Sequence, residues 1–139
     1  MTHCSDRFNL LIAHSATCPW ATDLARSMSR LPVDLHWSQT DSEAMNLAAS
    51  GGMHVAVVDD DLPDTGGLDL LRRIRRLGLA LPCLLVSGQP DQRLLRDALA
   101  LDVFSVVQAG ANSELLAPMV LKVVRRVYRA DWHLGGGMN

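Results

Sequence analysis

His54-Val55-Ala56-Val57-Val58 runs straight into Asp59-Asp60-Asp61 and then into Leu62-Pro63-Asp64-Thr65-Gly66-Gly67. The first five residues are nearly all apolar, as a central strand covered on both faces must be. The acidic run marks the carboxyl end of that strand. The Pro, Asp, Thr and Gly residues after it are turn formers and predict a loop. Beyond the loop Leu68, Leu71, Ile74 and Leu77 recur at helical spacing with Arg72, Arg73, Arg75 and Arg76 between them. Strand, acidic edge, loop and helix form the unit from which the rest of the chain is read.

The same alternation extends in both directions. Upstream, Phe8 to Ala13 predicts a first strand, and Trp20 to Ser29 a first helix that Pro32 stops. Val33 to Trp37 alternates apolar and polar, as a half-exposed strand does. Thr40 and Glu43 have capping-box spacing for a second helix, which Gly51-Gly52 ends. Downstream, Cys83 to Val86 predicts a buried strand ending in Ser87-Gly88, and Leu94, Leu95, Ala98 and Leu99 mark a helix. Val103 to Val107 predicts the fifth strand, ending at Gln108. A last helix is expected over Ser113 to Arg129, with Leu115, Leu116, Met119, Val120, Val123, Val124 and Val127 inward. Five strands alternating strictly with five helices predict an α/β fold, a doubly wound parallel sheet. The second strand is the most polar and belongs at an edge, which fits the flavodoxin-like order 2-1-3-4-5. One domain over 1–129 is expected, with a loose tail over 130–139.

Composition excludes several function classes. The 139 residues are 48% apolar and 20% charged with a net charge of −2, which suits a filled core and not a nucleic-acid or membrane coat. The arginines of the third helix are read as a solvated face, and no nucleic-acid partner is expected. No apolar run is long enough to span a membrane or to serve as the core of a signal peptide, so a cytoplasmic protein is expected. Cys4, Cys18 and Cys83 are odd in number and far apart, against disulfides and a zinc site. Cys83 reads as a small core residue, and Cys18 as buried or inert rather than reactive. There is no Walker lysine motif, no GxGxxG and no GxSxG, so nucleotide binding and hydrolase chemistry lack support.

Ligands in open parallel sheets bind beyond the carboxyl ends of the strands. That rule selects His14 and Ser15 after strand one, Asp59 to Asp61 after strand three, Ser87 after strand four and Gln108 after strand five. The block Asp59 to Leu71 resembles the signature of bacterial response-regulator receiver domains. Asp59 stands four residues before Pro63, in the place of the phosphoryl-accepting aspartate, and Gly67 stands in that of the loop glycine. Ser87 matches the switch hydroxyl of the fourth strand. The resemblance covers roughly residues 7–129. It implies a module of two-component phosphorelay signalling, not an enzyme beyond self-phosphorylation at Asp59. It also implies a sensor histidine kinase or another signalling protein as partner, and a homodimer through helix four, strand five and helix five.

The family holds Mg²⁺ with the acceptor, an acidic pair after strand one and a backbone carbonyl two residues past the acceptor. The resemblance therefore places the metal at Asp59 and the Asp61 carbonyl. Here His14 and Ser15 replace the acidic pair, so Mg²⁺ binding should be weak or absent. Gln108 replaces the phosphate-binding lysine and Ser105 the switch aromatic. Phe104 is expected on the opposite face of the sheet. Asp60 and Asp61 are expected as solvated loop residues. His14 is expected close enough to Asp59 to pair with it in a metal-free pocket. The intact Asp59, Ser87 and loop favour a phosphorylated receiver. The missing carboxylates favour a degenerate receiver acting as a phosphorylation-independent interaction module.

Overall fold

The computed structural model describes residues 7–15, 18–62, 65–110 and 113–129. Cys4, Pro63, Asp64, Trp132 and the tail expected over 130–139 lie outside the described residues. Strands β1 (Phe8–Ala13), β2 (Val33–Ser38), β3 (Val55–Asp59), β4 (Cys83–Ser87) and β5 (Ser105–Gln108) alternate with helices. These helices are α1 (Pro19–Met28), α2 (Asp41–Ala49), α3 (Gly67–Arg76), α4 (Gln92–Ala100) and α5 (Leu116–Tyr128). All neighbouring strands pair in parallel, and the order is β2-β1-β3-β4-β5. The half-exposed β2 is an edge strand, as its polarity predicts.

Side-chain alternation along the strands separates two apolar layers. Leu10, Ile12, Val55, Val57, Leu84 and Val86 pack against α1 and α5. Leu11, Ala13, Ala56, Val58, Cys83 and Leu85 pack against α2, α3 and α4. With both faces covered, β3 and β4 are buried at every position. Among the described residues no helix is long and apolar enough to cross a membrane.

Local chemistry sets the helix boundaries. The Thr40 hydroxyl accepts from the Glu43 amide at 3.1 Å, while Glu43 Oε1 accepts from the Gln39 amide at 3.1 Å. Thr40 thus caps α2 as the spacing predicts, with the reciprocal bond one residue further out. Asp91 Oδ1 caps α4 through the Leu94 amide at 2.8 Å. The last helix differs from expectation. Ser113–Leu115 form a 3-10 turn and the α-helix starts at Leu116, so Pro118 falls in its first turn, where no amide hydrogen is needed. Leu115, off the helical phase, and Val127, in the last turn, are exposed rather than inward. Leu95 and Leu99 of α4 are also exposed, at 40% and 67%.

Strand β5 starts two residues later than the apolar run. Val103 still donates its amide back to the Ala98 carbonyl of α4, and pairing with β4 begins at Leu84–Ser105. Phe104 therefore precedes the strand and escapes its alternation. It packs on the α1–α5 layer, the side of Val107, rather than the opposite face. The α3 arginines are also not simply solvated. Arg73 bonds Asp41 at 2.8 Å, and Arg75 bonds the carbonyls of Leu79, Leu81, Leu101 and Asp102.

Candidate functional site

Asp59 closes β3, and the ends of β1 and β4 flank it. The Asp60 amide donates to the Val86 carbonyl at 2.8 Å, which extends the β3–β4 ladder and fixes the backbone just past Asp59. Gly67 opens α3 directly against this backbone. A Cβ there would stand 2.5 Å from the Asp59 carbonyl oxygen and 2.9 Å from the Asp60 Cα. The glycine is therefore a packing requirement. Thr65 at 3.3 Å and Arg73 at 2.8 Å both bond Asp41 Oδ2, tying the loop after Asp59 to the start of α2.

The Asp59 carboxylate is 6% exposed. Its Oδ1 accepts from the Asp61 amide at 3.0 Å. Its Oδ2 accepts from the Ser15 hydroxyl at 3.4 Å and from the Cys18 thiol at 3.4 Å. The Cys18 thiol is pushed up to about 12, first by burial and then by the Asp59 charge and hydrogen bond. The thiol thus keeps the hydrogen that it donates to Asp59. Its place at Asp59 is new. The sequence held one usable signal: Cys18 precedes Pro19 in the β1–α1 loop, which must lie at the carboxyl edge of the sheet.

His14 does not pair with Asp59. Its Nδ1 lies 2.6 Å from the Ser15 carbonyl oxygen, and its ring meets Trp37 edge-on at 5.3 Å. No hydrogen bond or ion pair between His14 and Asp59 occurs among the described residues. The β1–β2 ladder accounts for this, because the His14 amide bonds the Ser38 carbonyl at 3.0 Å and keeps residue 14 in line with β2.

Ser87 is buried at the end of β4, where its Oγ accepts from the Gln89 amide at 3.3 Å. Gln108 is exposed and pairs in register with Ser87. It stands two strands from Asp59, about 10 Å across the sheet. Asp61 is exposed, as expected, but Asp60 is half-buried. Its carboxyl is raised above the usual carboxylate range by burial, then by Asp61, Asp59 and Asp91. Asp60 lines a cleft of about 420 Å³ with Thr65, Asp69, Arg72 and Asp91 between α3 and α4. A separate hollow of about 350 Å³ lies at the far end of the sheet, among Arg75, Leu81 and Phe104.

The donor set does not suit Mg²⁺, which requires near-octahedral oxygen ligation. The Asp59 carboxylate is already bonded by protein donors, and among the described residues the groups beside it are the Ser15 hydroxyl, the Cys18 thiol and the Asp60 carboxyl, which lies within range of its charge. Among the described residues no group of three or more His, Cys, Asp or Glu side chains could hold a metal ion.

No family model and no curated protein matches the chain. Solved structures do. It is similar to a signal receiver domain of an HD domain-containing protein from Pseudomonas fluorescens, with 21% identity, 89% of this chain and 99% of that one covered, and a TM-score of 0.77. It is similar to a CheY-like response regulator receiver domain protein from Methanospirillum hungatei, with 17% identity, 89% and 99% covered, and a TM-score of 0.75. A two-component response regulator from Clostridium difficile matches with 17% identity, 87% and 98% covered, and a TM-score of 0.77. With its five parallel strands in the order β2-β1-β3-β4-β5, the chain therefore has the flavodoxin-like fold of response-regulator receiver domains.

Proposed function

We propose that this chain is a receiver module of two-component signalling, in which Asp59 accepts a phosphoryl group from the phosphohistidine of a sensor kinase. The observation that carries this reading is the position of Asp59. It closes the central strand at the carboxyl edge of the sheet, between the ends of β1 and β4, with Gly67 packed on its backbone. In the transfer a carboxylate oxygen attacks phosphorus and the nitrogen–phosphorus bond breaks. Ser87 is the hydroxyl one strand away that would turn from the Gln89 amide to the phosphoryl group. Gln108 would offer a neutral donor, weaker than a cationic partner by roughly a factor of two. The signal would leave through α4, β5 and α5 to a second copy or another signalling protein, with Leu95 and Leu99 exposed on that face.

The test is incubation with a small phosphodonor, with and without Mg²⁺, followed by intact-mass measurement. A phosphate adduct that is lost in Asp59→Asn is the expected result. Absence of an adduct under both conditions would overturn the acceptor role. It would leave a phosphorylation-independent interaction module, the reading that His14 and Ser15, in place of an acidic pair, support.

A further inference from the structure

Asp59 is a buried carboxylate, and no cationic side chain bonds it among the described residues. A carboxylate so placed needs hydrogen-bond donors. Among the described residues its donors are all neutral: the Asp61 amide on Oδ1, and the Ser15 hydroxyl and Cys18 thiol together on Oδ2.

Cys18 is held in place for this contact. It is the N-cap of α1, and its carbonyl accepts from the Ala21 amide at 3.1 Å. Pro19 follows in the first turn and disfavours helical backbone for the residue before it, which stands at φ −147° and ψ 84°. Trp20, 4% exposed, anchors the turn in the α1–α5 layer. The Cys18 thiol hydrogen is directed to Asp59 Oδ2 at 3.4 Å.

We propose that Ser15 and Cys18 form a neutral clamp that stands in for a divalent cation at Asp59, with Cys18 acting as a positioning residue. The inference rests on Asp59 as the functional centre but not on its phosphorylation. Two hydrogen donors on one oxygen fix the carboxylate without the acidic ligands that a metal site would demand. The poor fit of the donor set to Mg²⁺ is then a property of how this site is built.

The experiment follows the NMR resonances of the Asp59 carboxyl carbon and the Asp61 amide in the full chain during titration with Mg²⁺ alone. In the unsubstituted chain neither resonance should show a saturable shift. The Asp59 resonance should move in Cys18→Ala and in Ser15→Ala, and Cys18→Ser, which keeps a donor, should return it most of the way. The double variant His14→Asp with Ser15→Asp should gain saturable Mg²⁺ binding. Its affinity should exceed the unsubstituted chain's by on the order of tenfold or more, since even losing an outer-shell partner costs that much at a metal site. Saturable Mg²⁺ binding by the unsubstituted chain, seen at either resonance, would overturn the clamp. So would an Asp59 resonance that is identical in Cys18→Ala and the unsubstituted chain. The metal titration of the unsubstituted chain needs no variant to fold. The phosphodonor assay bears on the acceptor role alone, because the clamp is measured on unmodified protein.

Discussion

At the scale of the residue, Gly67 is the most constrained position beside the site. A methyl group there would meet backbone atoms of Asp59 and Asp60, which cannot rotate away as a side chain would. Gly67→Ala should therefore destabilise the fold by about 1–3 kcal/mol, the usual cost of overpacking. Gly88→Ala is the control, because a Cβ there meets nothing within 4 Å. Urea unfolding of the two variants should separate them clearly, and equal midpoints would show that the Asp59 backbone yields. The glycine at 67 was singled out in the sequence through the resemblance to receiver domains, in which a loop glycine holds this place. The Cys18 contact was not, because the two residues are 41 positions apart and meet only when β1 and β3 pair. The expected His14–Asp59 pair failed for a similar reason. Backbone pairing with β2 and the neighbouring Trp37 decide where the ring lies, and neither can be read from residue type at position 14.

At the scale of the element, boundaries set by adjacent residues were legible and those set by tertiary contacts were not. Thr40 and Glu43 announce α2 by spacing alone, and the hydrogen bonds follow. Removing the cap with Thr40→Ala should cost about 1 kcal/mol of stability, with Thr40→Ser retaining most of it. Thermal unfolding measures both, and a Thr40→Ala variant as stable as the parent would mean that α2 is held by packing instead. The start of β5 shows the opposite case. Val103-Phe104-Ser105-Val106-Val107 has strand composition throughout, yet the Val103 amide is still engaged by α4. Composition reports what a segment tolerates, while the ladder register reports where pairing begins. Arginines 73 and 75 likewise read as a solvated face by period, because the acceptors that claim them lie on α2 and in distant loops.

At the scale of the whole molecule, β1, the entry to β3 and the end of α5 meet at His54, on the side of the sheet away from Asp59. The His54 Nδ1 accepts from the Asn9 amide at 2.9 Å, and the Tyr128 hydroxyl donates to the His54 carbonyl at 2.6 Å. The ring lies 4.8 Å from that of Phe8 and 5.3 Å from that of Tyr128. Only the neutral imidazole accepts at Nδ1, since the protonated ring carries a hydrogen on both nitrogens. Burial also lowers the His54 pKa from its ordinary 6.5. The unfolded chain therefore binds the proton more readily than the folded one. The stabilising contribution of neutral His54 is present above pH 6.5, and it is lost as pH falls from that value through the lower folded pKa. Carboxylates add their own dependence at lower pH, so the measurement is a difference between two chains. His54→Asn removes the titration and can still accept from the Asn9 amide. Between about pH 7.5 and about pH 5.5, the window in which histidine changes charge, the urea midpoint of the parent should fall more than that of His54→Asn. Parallel midpoints across the window would mean that the junction of β1, β3 and α5 tolerates the charged ring, and that the Asn9–His54 bond contributes nothing to closing the sheet.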